Sequence, residues 1–173
     1  DEYFTPDGPT KWDSDKYWSK MSRIKKVYDA MERPALFGVS EIENENVLID
    51  LKNSLNNKLE FTHFESPDNR GIDVALLYSM EHFDLITSNF IRISFPDSVE
   101  LDYTSRDILY THLKTKHNQS LHVFVNHWPS RRGGLTKSSP KREHVANVLT
   151  DSIRSMMLTG SILMMGDFND EPN

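Results

Sequence analysis

Cysteine is absent from the 173-residue chain. That removes disulfides, thiolate-bound zinc and a cysteine nucleophile together, and it leaves the compartment open. Long apolar runs are missing as well: none approaches the ~18 residues that a membrane-spanning helix requires. There is no internal repeat and no low-complexity tract. Positive charge is in deficit, with 20 Lys and Arg against 26 Asp and Glu, a net charge of −6 and a pI near 5.6. A protein that holds nucleic acid chiefly by neutralising phosphates usually carries a basic face, so this balance argues against tight non-specific binding. It does not exclude a nuclease, because a bound divalent ion supplies positive charge at the site itself. What is present is a globular mixture, 37% apolar and 27% charged, with nine Phe, six Tyr and three Trp. That length and aromatic mass suit one domain around one core.

The segment Asp1 to Trp12 carries prolines and a glycine and reads as an irregular opening loop. Tyr17, Met21, Ile24, Tyr28 and Met31 recur at helical spacing, which predicts a helix over about Ser14 to Met31, ended by Arg33-Pro34. Ala35 to Ser40 predicts a buried strand, and Asn46 to Asn56 a second helix with Val47, Leu48, Leu51 and Leu55 on one face. Strands are expected at Gly71 to Tyr78, Phe90 to Phe95, Ile108 to Thr115 and Leu121 to Val125, all rich in β-branched and aromatic residues. Ser139-Pro140 predicts the start of a third helix, with Gly160 as its stop, and Ser161 to Met165 predicts a last strand. Helices at both ends of a strand-rich middle indicate a layered α/β or α+β architecture.

Three segments follow predicted strands and end in acidic or hydrogen-bonding residues: Ser40-Glu41, Asn126-His127 and Asp167-Phe168-Asn169. Strand ends facing one way are where sheet-based folds gather a site. Asp167 and Asn169 leave an extended backbone on the same face. An acid beside an amide offers hard oxygen ligands, or a base plus a donor, and suits Mg²⁺ with a phosphoryl group. Each residue also has a structural use. Asp167 and Asn169 suit a side-chain-capped turn, Glu41 with Glu43 and Glu45 suits the start of a helix, and His127 suits a hydrogen-bonded structural histidine.

Taken together and in chain order, Ser40-Glu41, Arg106-Asp107, Asn126-His127-Trp128-Pro129-Ser130 and Gly166-Asp167-Phe168-Asn169-Asp170-Glu171-Pro172 closely resemble the endonuclease/exonuclease/phosphatase superfamily. The stretches Phe4 to Pro9 and Asn69 to Tyr78 are similar to a bacterial branch of it. The resemblance runs the whole length and implies an α+β fold, a four-layer α/β/β/α sandwich of two mixed sheets flanked by helices, with the site at one edge of the sheets. It implies Glu41 as the metal-binding glutamate, with Mg²⁺ or Mn²⁺ as cofactor. It implies His127 against the phosphate, Asp167 as the acid that orients or deprotonates the attacking water, and Asn169 as the neighbouring transition-state donor. Arg106 matches an arginine presented to substrate phosphate. The family also has an early strand with a metal-holding asparagine and a closing Ser-Asp-His motif. Neither is found here, so residues 1–173 are expected to be one domain lacking both ends.

The function expected is hydrolysis of phosphate esters, of nucleic acid or of a phospholipid or sugar-phosphate head group, with no obligate protein partner evident. The alternative is a non-catalytic binding module on the same fold. Between Arg131 and Arg142, Arg131, Arg132, Lys137, Lys141 and Arg142 occur with no acid, which reads as a mobile cationic loop steering an anion or as a solvated linker. Asp73, out of phase with its apolar neighbours, is expected either to hydrogen-bond His127 or to lie on an exposed strand face.

Overall fold

In the computed structural model, residues 7, 9–55, 58–96, 99 and 103–171 are described; most of the predicted opening loop and the closing Pro172-Asn173 lie outside them. The first helix, α1 (Ser14–Ala30), begins where the Asp13 side chain accepts the Lys16 backbone N–H at 2.9 Å. That contact satisfies one of the donors a helix start leaves open. There follow β1 (Leu36–Ile42), α2 (Glu45–Leu55), β2 (Leu59–His63) and β3 (Asp73–Ser79). The second half holds β4 (Phe83–Ile91), β5 (Ile108–Thr115), β6 (Ser120–His127), α3 (Leu135–Met156) and β7 (Ser161–Asp167). Asn56, the last residue predicted for the second helix, lies outside the described residues.

The strands form two sheets, ordered β1-β3-β2 and β4-β5-β6-β7. The three-stranded sheet is antiparallel throughout, whereas the four-stranded one is mixed because β6 and β7 run parallel. Parallel neighbours need a long crossover, and α3 is that connection.

Three apolar clusters define the layers. Val74, Leu76 and Tyr78 of β3 meet Leu109, Leu113, Val123 and Val125 of β5 and β6, so the two sheets pack face to face. On the outer side of the first sheet, Ala75 and Leu77 pack under Met21 and Tyr28 of α1 and Leu48 and Leu51 of α2. On the outer side of the second, Tyr110 and Phe124 pack under Val145 and Leu149 of α3. Alternation along β3 thus feeds two different cores. The result is the expected α/β/β/α sandwich.

Three elements, β2, β4 and α3, depart most from the sequence reading. β2 was not foreseen: it is five residues long and contributes two buried positions, Leu59 and Thr62. The strand expected at Phe90 to Phe95 lies earlier, at Phe83–Ile91. β4 is an edge strand with a register shift between Leu85 and Thr87, which breaks the two-residue period, and Leu85 and Ile86 stay exposed. α3 starts at Leu135 rather than Ser139, after Gly133 and Gly134 with φ of 89° and 87°, and Pro140 is taken inside it. It ends on Met157 in the left-handed region, before Gly160.

Candidate functional site

The parallel register of β6 and β7 places Asn126 beside Gly166 and His127 beside Asp167. Only glycine fits at 166: φ is 123°, and an added Cβ would stand 2.0 Å from the Asn126 carbonyl oxygen. This close approach brings the Asp167 end of β7 against the His127 end of β6. Asn126 is fully buried and fastens the pair, its amide N–H groups donating to the Phe124 and Met165 carbonyls and its oxygen accepting from the Trp128 indole at 3.0 Å.

Beyond the strand ends, the Trp128 backbone joins the remaining pieces. Its N–H donates to the Asp167 carbonyl at 2.9 Å. Its carbonyl accepts from the Asn169 side-chain amide at 2.9 Å and from Arg106 Nη2 at 2.7 Å. Asn169 is held at φ 52° by a turn in which the Asp167 carboxylate accepts its backbone N–H at 2.9 Å. The side-chain-capped turn weighed for this segment is therefore present, and it leaves the exposed Asp167 carboxylate with acceptor capacity.

Glu41 arrives from the other sheet. It falls between Ser40, paired with Val74, and Ile42, paired with Asp73, as the extra residue of a β-bulge with φ 61°. Bulges re-aim side chains beside active sites, and a non-glycine residue with positive φ costs of order 1–3 kcal/mol. Glu41 is exposed and close enough to act electrostatically on His127, as Asp167 does. His127 itself is 7% exposed, and its Nδ1 is buried without a hydrogen-bond partner. Burial first, then the positive charge of Arg106, push the imidazole below the ordinary histidine range, against the opposing pull of Glu41 and Asp167. Glu41, His127, Asp167 and Asn169 thus come from β1, β6 and the end of β7 to one edge of the sandwich.

Arg106 lies in this neighbourhood but is buried. One nitrogen donates to Asp68 at 3.1 Å, another to the Trp128 carbonyl, and Nε has no partner. Asp68 was missed in the sequence, although it anchors two arginines: it also accepts the Arg70 guanidinium at 3.0 and 3.1 Å. Burial pushes the Asp68 carboxyl up, but the hydrogen bonds from Arg70 and Arg106 outweigh it and hold it below the usual range.

Asp73 is buried and paired, with the wrong histidine for the expectation. Its carboxylate accepts the Ser66 N–H at 2.8 Å and lies 3.1 Å from His63 Nε2. Asp73, Ala75 and Leu77 share the helix-side face of β3, whereas β6 lies across the other face, so the neighbouring strand β2 supplies the partner. His63, Glu65 and Asp73 bring their ligand atoms within 4.8 Å of one another, the one such trio among the described residues, and it does not include Glu41.

The cationic stretch is also built differently from a free loop. Arg131 pairs with Glu171 at 2.6 Å and the buried Arg142 with Asp170 at 2.9 Å. From Leu135 onward the stretch is α3, and these two pairs tether the segment that follows Asn169.

The model of the Endonuclease/Exonuclease/phosphatase family matches residues 1–173. No curated protein matches the chain. Among solved structures, ANGEL2, a 2′,3′-cyclic phosphatase, superposes with a TM-score of 0.72 at 22% identity over 90% of this chain and 45% of its own. The human Nocturnin catalytic domain gives 0.67 at 18%, over 91% of this chain and 59% of its own. TDP2 from C. elegans gives 0.68 at 15%, over 92% and 45%. The chain therefore spans about half the length of these neighbours, and at such identity the likeness is one of fold. With the family model matched from end to end, the chain belongs to the endonuclease/exonuclease/phosphatase family.

Proposed function

We propose that this chain carries half of the catalytic centre of a divalent-metal-dependent phosphoesterase, completed by the family's early asparagine strand and closing Ser-Asp-His. The observation that carries the reading is the convergence of Glu41, His127, Asp167 and Asn169 at one edge of the sandwich, inside a family defined by phosphate-ester chemistry. The donor set fits a hard cation: Glu41 and Asp167 present exposed carboxylate oxygens, with no thiolate anywhere in the chain. Glu41 is the residue that would hold Mg²⁺ or Mn²⁺. When bound, the ion supplies Lewis-acid charge at the phosphate.

The chain's own residues do the rest. Asp167 accepts a proton from the attacking water, and its bond to the Asn169 N–H fixes the carboxylate for that task. His127, neutral, donates one N–H to a non-bridging oxygen as charge develops there. Asn169 uses one side-chain N–H on the Trp128 carbonyl and keeps the second for the same oxygens. Arg106 adds positive charge from behind Trp128. The substrate is a phosphate ester, of nucleic acid or of a phospholipid or sugar-phosphate head group.

The test is turnover of DNA, RNA, sphingomyelin and phosphoinositide with Mg²⁺ by protein that includes the family's two missing segments. One of the four is expected to be hydrolysed, with Asp167→Asn losing at least ~10²-fold in kcat. Parental turnover by Asp167→Asn would overturn the reading. Binding of a panel member with no turnover would instead favour a non-catalytic module.

A further inference from the structure

A cavity of about 420 Å³ lies beside the site, and none of Glu41, His127, Asp167 or Asn169 lines it. Among the described residues its wall carries Arg70, Arg106, Arg132 and Lys141 and one carboxylate, Asp68, in a protein whose net charge is −6. Cations gathered around one cavity in an acidic chain attract an anion to it.

The cations are fixed, not merely near. Asp68 accepts Arg70 through both the backbone N–H at 2.9 Å and the guanidinium fork, and Arg106 through Nη1 at 3.1 Å. Its single charge therefore orients two guanidinium groups while neutralising one. Lys141 Nζ stands 3.9 Å over the Tyr103 ring, which is itself braced edge-on by Phe95 at 5.0 Å. Arg132 makes no ion pair with the described residues, in contrast to Arg131 and Arg142 on either side, which both turn toward the Asp170-Glu171 segment. The stretch thus divides by direction: two of its arginines hold the catalytic segment, and Arg132 and Lys141 face the cavity.

The cavity and the catalytic edge share one guanidinium. Arg106 lines the cavity, donates to the same Trp128 carbonyl as Asn169, and acts electrostatically on His127. A ligand group seated in the cavity therefore lies one arginine away from the reacting phosphate. Four cationic side chains around one cavity favour a group with several acceptor oxygens and more than one negative charge over a singly charged diester.

We propose that this cavity binds a phosphomonoester dianion carried on the substrate beside the scissile ester, so that the enzyme selects phosphate esters bearing a second, terminal phosphate. The proposal rests on the phosphoesterase reading for its biological use, but the binding step does not require turnover. It is tested first on the 173-residue chain, without metal, by calorimetric titration with inorganic phosphate and with dimethyl phosphate. Phosphate is expected to bind saturably and dimethyl phosphate at least roughly tenfold more weakly. The double variant Arg132→Gln/Lys141→Gln should lose at least roughly tenfold in phosphate affinity, whereas Glu41→Gln and Asp167→Asn retain it. A matched melting profile shows that the double variant is folded. Absence of saturable phosphate binding overturns the proposal. So does equal affinity for the two probes, equal affinity in the double variant, or loss in Glu41→Gln or Asp167→Asn, which would place the anion in the catalytic centre. In active protein, the double variant should raise KM for a substrate with a terminal phosphate and leave its dephosphorylated counterpart unchanged. If that protein has no activity at all, the phosphoesterase reading fails while the binding result stands.

Discussion

His127 is held neutral by its surroundings. Burial and Arg106 lower its affinity for a proton in the folded chain, whereas the unfolded chain takes one up near the ordinary pKa of about 6.5. The unfolded state therefore binds more protons in that window, and stability rises with pH across it. The contribution is complete above the unfolded value and is lost as pH falls through the folded one. With a chelator present, the melting temperature should fall between pH 7 and pH 5, and His127→Gln should flatten that decline. Parallel curves would mean that His127 is not a buried neutral imidazole. Glu41 is the second residue whose environment makes a prediction. A left-handed backbone costs an L-residue about 1–2 kcal/mol, which glycine avoids, at an unfolded-state cost of about 0.5–1 kcal/mol. Glu41→Gly should thus melt no lower than the parent, yet require far more Mg²⁺ for turnover in the active protein. An unchanged Mg²⁺ requirement would remove Glu41 from the metal site. The strain at Glu41 could not be read from Ser-Glu-Ile, because φ depends on the bulge against β3. Gly166 to Asn169 was legible because its chemistry is contiguous. The Asp68–Arg70–Arg106 network was not, because Arg106 and Asp68 are 38 positions apart.

At the level of elements, the two sheets are joined by a polar contact inside an apolar layer. Thr62 of β2 and Thr111 of β5 are buried, and their hydroxyl oxygens lie 2.8 Å apart. Thr111→Val leaves the Thr62 hydroxyl without its partner and should cost about 1–3 kcal/mol, whereas removing both hydroxyls replaces the pair by two apolar groups of similar shape. Thr62→Val/Thr111→Val should therefore be more stable than either single variant, as read from urea midpoints. Additive losses would show that the contact carries little coupling. The pair also marks where periodicity stopped helping. β3 was legible as a run of buried apolar residues, but which of its faces met the other sheet was not, and so Asp73 was expected at His127 or on an exposed face when His63 lay beside it. β4 was displaced in the reading because an edge strand with a bulge shows no clean alternation. α3 was started too late because Ser139-Pro140 is a strong local signal, and the Gly133-Gly134 turn that sets the true start is decided by backbone conformation.

For the molecule as a whole, the sandwich was legible from family motifs and not from periodicity, which reached only a layered α/β or α+β chain. In the proposed reading, two further family motifs complete the centre. Among the described residues β1 and β7 are edge strands, and β7 leaves Ile162 and Met164 exposed. Unpaired edges with apolar side chains invite pairing with other chains, so the 173-residue chain is expected to self-associate more than a longer one. Its chemistry should be more sensitive still. Removing a single placed donor costs ~10²–10³ in rate, and groups that act on one phosphate fail as a unit. The family's early asparagine and closing Asp-His are three such groups, and neither motif occurs in the 173 residues. Turnover by this chain with Mg²⁺ should therefore be indistinguishable from the metal blank, while a protein that adds both segments hydrolyses the same substrate. Purified side by side, the two also separate the roles of fold and site: the short chain should still bind phosphate in the Arg132–Lys141 cavity. Comparable turnover in the two would show that Glu41, His127, Asp167 and Asn169 are sufficient, and that the site had been drawn too large.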